Sequence, residues 1–144
     1  MDSPRDPGSE MAGLRVTLLV AEKTREAVFA ALRSGAMYVS RGSECRDFVL
    51  DDFSVDGIGA GGEGETSGFP VVHVNGRMPG KSTRRFTIRL VRDAEVVKVF
   101  EQEGSVFAVS FTDTEKPRGK GYYRAEINAD GVECVTNPVF IRKQ

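Results

Sequence analysis

From about Asp47 to the end of this 144-residue chain, apolar and polar residues alternate with a period of two, in short runs broken by turn formers. Successive side chains of a strand point to opposite faces, so a run of this kind buries one face only when extended. "DFVLDDFSVDG" places Val49, Phe53 and Val55 inward, and "FPVVHV" reads as the next strand. "RRFTIRLVRD" sets Phe86, Ile88 and Leu90 against Thr87, Arg89 and Val91, then turns tightly into "AEVVKVFEQEG" to form a hairpin. "SVFAVSFTD" carries Phe107, Val109 and Phe111 on one face. The last stretch, "GYYRAEINADGVECVTNPVFIRK", is a pair bent at Ala129-Asp-Gly131. Roughly six or seven short strands at this spacing, with no βαβ alternation, predict an antiparallel β-sandwich.

Before Asp47 the period is different. "LRVTLLVAE" (14–22) suits one strand, and "TREAVFAALRSG" suits one helix. Thr24 is an N-cap, Glu26 lies in the electropositive first turn, Arg33 complements the C-terminal end and Gly35 supplies the left-handed stop. Val28 and Leu32, with Phe29 and Ala31 beside them, make the apolar stripe. "AMYVSRG" then returns to extended character. The chain divides into a disordered lead-in at 1–12, a strand–helix–strand connector at 13–46 and a sandwich domain at 47–144. The fold class is therefore mainly β: an immunoglobulin-like antiparallel sandwich preceded by one amphipathic helix and a short strand.

Charge removes several functions. Twenty basic side chains against 21 acidic ones leave a net charge of −1, which gives no field for nucleic acid or an anionic membrane. No apolar stretch approaches the roughly 20 residues that cross a bilayer, and the N-terminus has no apolar leader segment. A cytoplasmic location is the expectation. Cys45 and Cys134 are far apart in sequence, and neither has a CxxC neighbour.

"NGRMPGKST" (75–83) resembles a phosphate-gripping loop at first sight. Such a loop needs glycine five residues before its Gly-Lys, but position 75 is Asn and the glycine stands at 76. It also needs a helix to follow, with backbone N–H groups aimed at the phosphates. "TRRFTIRLV" is strand-forming, so the stretch reads as a loop turned by Asn75-Gly76 and Pro79-Gly80. "IGAGGEGETSG" also lacks a following helix and reads as a flexible glycine-rich loop over 57–68.

Other chemistry fares no better. His73 is the only histidine, so there is no HxH pair, no HExxH and no spare imidazole for a Ser/His arrangement. Its place in an apolar strand suggests a packed or hydrogen-bonded side chain. Asp51, Asp52 and Asp56 read as a solvated strand face and turn caps rather than a calcium site. Lys81, Arg84, Arg85 and Arg89 read as a solvated face balanced by acidic neighbours. No catalytic, cofactor-binding or metal-ligating residue emerges.

Two stretches go beyond patterning. "EKTREAVFAALRSGAMYVSRG" (22–42) resembles the helix and strand that follow the catalytic barrel in one branch of the PHP (polymerase and histidinol phosphatase) family of metal-dependent phosphoesterases. "YYRAEINADGVECVTNPVFIR" (122–142) resembles the C-terminal signature of the same branch: an aromatic pair with Arg, a turn, then Asn-Pro before alternating apolar residues. With the strands between them, the resemblance spans about 14–142. It implies a β-sandwich appended to a barrel, with Tyr123, Arg124, Asn137 and Pro138 in structural roles. That family holds divalent metals through His-x-His, further His and acidic residues, and a late Asp-x-His. None of these occurs here, so no catalytic residue is carried over and no cofactor is expected in this chain.

The first expectation is thus a non-catalytic accessory domain whose partner is a PHP-type catalytic barrel, in the same or another chain. Val28, Phe29 and Leu32 would form a docking face: Val28 and Leu32 pack on the sandwich or the first strand, while the flank near Phe29 is left for the barrel or for weak self-association. The alternatives are an autonomous sandwich binding carbohydrate or peptide, marked by exposed aromatics beside polar loops, and an enzyme in its own right.

Overall fold

The computed structural model describes residues 13–20, 22–80, 83–115 and 119–143, so the 1–12 lead-in lies outside the described residues. Their elements are β1 (Leu14–Leu18), α1 (Arg25–Ser34), β2 (Met37–Arg41), β3 (Val49–Val55), β4 (Ile58–Gly59), β5 (Glu63–Thr66) and β6 (Val71–Arg77). They continue with β7 (Arg84–Arg92), β8 (Glu95–Gly104), β9 (Val106–Thr112), β10 (Gly119–Ala129), β11 (Val132–Thr136) and β12 (Val139–Lys143). The chain is mainly β, with one helix among the described residues.

The strands form two sheets. The smaller runs β4-β3-β6-β9, all antiparallel. The larger is built around β10, whose first edge pairs with β7, and β7 in turn with β8. The second edge of β10 is shared: Glu126–Ala129 pair with β11 and Gly119–Tyr123 with β12. The sheet forks there, one arm running β11-β2-β1 and the other β12-β5. Asn137 and Pro138 lie at the fork. Proline has no N–H to donate to a ladder, and the Ala125 N–H on β10 bonds the Thr136 hydroxyl instead, at 2.9 Å.

One core lies between the sheets. Phe53, Val55, Val72, Val74, Phe107 and Val109 from the small sheet meet Phe86, Ile88, Leu90, Tyr123, Ile127 and Ile141 from the large one. The Phe86 and Phe107 rings touch across it with centroids 4.8 Å apart, a spacing in the favourable range for aromatic pairs. The hairpin turns expected from sequence are present. Asp93 and Ala94 (φ 50° and 70°) close β7–β8, and Asp130 and Gly131 (φ 46° and 94°) close β10–β11, as two-residue turns between twisted strands require.

Five local expectations change. Val91, set opposite Leu90 by alternation, is buried like it, because the register shifts between the two. In β3, Leu50 is buried and Val49 only half-buried, because a bulge between Leu50 and Asp52 shifts the alternation. Asn75 and Gly76 belong to β6 and are not turn residues. A Cβ at Gly76 would stand 2.6 Å from the Phe107 ring, so this glycine admits an aromatic side chain. His73 is exposed. The 57–68 segment is no open loop, for it contains β4 and β5. Ala60 and Thr66 are buried, Gly61 N–H donates to Pro138 O at 2.8 Å, and β5 lies parallel to β12.

Candidate functional site

Helix α1 forms as its sequence requires. The Thr24 side chain accepts from Ala27 N–H at 3.1 Å, and Gly35 (φ 77°) returns its N–H to Ala31 O at 2.9 Å. Its C-terminal end is fastened to the sheet fork. Asn137 Nδ2 donates to Gly35 O at 2.9 Å, and Gly61 lies against the same turn so closely that a Cβ there would meet Gly35 backbone at 2.4 Å. Asn137 therefore closes the helix, and Pro138 O anchors Gly61. Both roles are structural.

The helix's apolar side chains are not covered as expected. Ala31 is the buried one, Val28 is half-buried, and Phe29 and Leu32 stand 44% and 51% exposed. The expectation that Leu32 packs on the sandwich or the first strand is corrected: Leu32 is half open to solvent, and Ala31 takes the buried position. Arg25 lies over the Phe29 ring at 5.4 Å, a weak cation–π contact at an exposed site. On the outward face of the neighbouring strands, Val16, Val39 and Val135 stand directly opposite one another across β1, β2 and β11. Val16 is 55% exposed, with Leu14 and Val135 also open to solvent. Apolar side chains thus recur over both the helix and the β1-β2-β11 arm.

Tyr123 and Arg124 point to opposite faces of β10. Tyr123 is buried, and its hydroxyl donates to Asp113. Arg124 pairs with Glu126 on the same strand at 2.9 Å. Asp113, 1% exposed, also receives Arg92 Nη1 at 2.8 and 2.9 Å and the Glu115 N–H at 3.0 Å. Burial pulls its carboxyl upward, but the bonds from Tyr123, Arg92 and Glu115 outweigh this and hold it below the usual carboxylate range. Burial first, and the Asp113 bond second, push the Tyr123 phenol well above its ordinary value. The buried phenol and carboxylate, with Arg92, tie β10 to the end of β9.

The charged clusters are mostly accounted for as well. Asp51 pairs with Arg77, Asp52 accepts from Ser54 and Asp56 accepts the Val71 N–H. Arg84 pairs with Glu44 and Arg85 with Glu103; Lys81 lies outside the described residues. No cluster of three or more His, Cys, Asp or Glu suited to a metal occurs among the described residues. No described helix is long and apolar enough to cross a membrane.

A different surface gathers side chains that sequence reading did not single out. It is an open cleft of about 920 Å³ on the outward face of the β5-β12-β10 arm. Ladder register builds it in two rows: Glu63, Phe140 and Tyr122 in one, and Glu65, Arg142 and Lys120 in the next. The Tyr122 and Phe140 rings are 6.2 Å apart and tilted by 56°. The signal was the aromatic and basic alternation of 120–142. Its partner strand β5, paired in parallel from far upstream, leaves no mark in sequence. No family model, curated protein or solved structure matches this chain.

Proposed function

We propose that this chain is a non-catalytic accessory sandwich that docks on a PHP-type metal-dependent phosphoesterase barrel and helps hold that barrel's partners or substrate in place. The observation that carries the reading is a helix capped at both ends and tied to the fork, yet presenting Phe29 and Leu32 to solvent. Capping and tethering fix the orientation of a face that the described residues leave about half open to solvent. Val16, Val39 and Val135, in register across β1, β2 and β11, add a second apolar stripe on that arm, and scattered single apolar residues would not line up this way. The resemblance at 22–42 supplies the occupant, since in that family this segment adjoins the barrel. An immunoglobulin-like build belongs to the same proposal and is supported by the two facing sheets and their antiparallel hairpins.

Co-expression with the PHP-type barrels encoded in the same genome tests the reading, with sedimentation velocity as the readout. The expected result is a complex with one of them that Val16→Asp with Phe29→Asp abolishes. A chain that binds none of them overturns the proposal. The cleft at Tyr122 and Phe140 favours a second reading, a ligand-binding module, and the two are compatible because the surfaces lie on different arms of the fork.

A further inference from the structure

The cleft on the β5-β12-β10 arm has no part in docking through the helix. Its inward side is solid core: Tyr123, Val139 and Ile141, which alternate with the cleft residues, are all at most 1% exposed. The outward side is therefore displayed from a rigid base. Phe140, a large apolar ring, is nevertheless 47% exposed there. Asp93 is fixed beside the rings by a reciprocal pair of bonds: Tyr122 N–H donates to Asp93 Oδ1 at 2.9 Å, and Asp93 N–H to Tyr122 O at 3.2 Å.

The chemistry of the lining selects a ligand class. Five charged side chains argue against a lipid or other wholly apolar ligand, which would strip their hydration with nothing returned. Three carboxylates (Glu63, Glu65, Asp93) against two cations (Lys120, Arg142) disfavour a polyanion such as nucleic acid. A peptide adding to a sheet uses an open backbone edge, which here only the outer side of β5 offers, whereas the lining side chains gather on the sheet face. What remains is a molecule with an apolar C–H face to lay on an aromatic ring and a rim of hydroxyls to exchange hydrogen bonds with carboxylates, guanidinium and ammonium. A pyranose has both.

We propose that Tyr122 and Phe140, with Glu63, Arg142, Lys120 and Asp93 around them, form a binding site for a neutral oligosaccharide. One ring stacks on a sugar face, and the other, tilted by 56°, walls the adjacent sugar. The open form of the cleft suits a segment of a chain rather than an enclosed monosaccharide.

Titration calorimetry of the whole chain with cellohexaose, xylohexaose, mannohexaose and maltohexaose, beside a heparin hexasaccharide, tests this. At least one neutral hexasaccharide is expected to bind, with amide chemical-shift changes concentrated at Gly64, Gly121, Tyr122 and Phe140. Phe140→Ala and Tyr122→Ala each weaken binding tenfold or more without lowering the melting temperature appreciably, and Phe140→Tyr retains it. Failure of all four neutral probes, binding of the heparin fragment alone, or binding indifferent to both alanine variants would each overturn the proposal. Phe29→Asp leaves the titration unchanged, so this result stands apart from the docking result.

Discussion

The Tyr123 hydroxyl donates to Asp113 Oδ2 across 2.5 Å, joining the central strand of the large sheet to the residue that follows β9 of the small one. Arg92 completes the group, which makes a polar connection at the margin of the core. Tyr123→Phe removes one donor from a buried carboxylate and is expected to cost about 1–3 kcal/mol. Arg92→Met leaves that carboxylate without its countercharge and costs more, about 3–5 kcal/mol. Urea denaturation of the two variants gives the ranking. The reverse order would show that the ion pair is not the stronger member.

The same carboxyl gives a pH dependence of known sign. Its folded-state pKa is depressed, so its contribution is fully present above the unfolded value of about 4 and is lost as pH falls through the folded value. Wild-type stability should therefore fall more steeply below about pH 4 than that of Asp113→Asn. Parallel curves for the two proteins in urea melts from neutral to acid pH would remove Asp113 as the source.

Gly61 has φ 82° and lies within van der Waals contact of the turn that ends α1. Gly61→Ala forces a Cβ into Ser34 O and Gly35 backbone, so it should destabilise by more than about 2 kcal/mol. Gly57 has the same φ but nothing within 4 Å. Gly57→Ala meets the backbone penalty alone and should cost distinctly less. Equal losses would mean that close approach to the helix end is not what position 61 requires.

Exposure also sets what the helix contributes. Leu32→Ala should change stability by no more than about 0.5 kcal/mol, against the 2–5 kcal/mol of a fully buried leucine. A loss in the buried range would show that Leu32 is covered in solution. Sedimentation at rising concentration then identifies whether a second copy does the covering, since Phe29→Asp would restore a monomer.

The helix was legible to the residue because its start and stop signals, Thr24 and Gly35, act locally. Its burial was not, because an apolar stripe tells which face is apolar and not whether anything covers it. Val49 was misplaced since a bulge has no composition of its own. The glycines at 61, 62 and 64 read as flexibility, yet they admit Gly35 backbone and the Ile58 side chain at close range. The outward aromatic pair needed register: Tyr122 and Phe140 are 18 positions apart, and only the β10–β12 ladder sets them opposite.

Cys134 is buried, and burial pushes its thiol up to about 12. Thiolate is the reactive form, so at neutral pH Cys134 should react with a disulfide reagent only as fast as the chain opens. Labelling followed by mass spectrometry, in buffer and in urea, checks this. Rapid modification of the native protein at Cys134 would contradict it.

The fork at β10 has a consequence for the order in which this protein acquires its shape. The small sheet uses only residues 49–112, and its strands can pair as soon as that stretch exists. The arms of the large sheet cannot. β1-β2, β5 and β7-β8 share no partner until β10, β11 and β12, all of which follow them in the chain. On a ribosome they emerge as separate fragments with bare edges, which is when strands pair wrongly and nascent chains stick together. Joining of the large sheet's arms therefore waits for β10, β11 and β12, and pairings of such long sequence separation are slow to form.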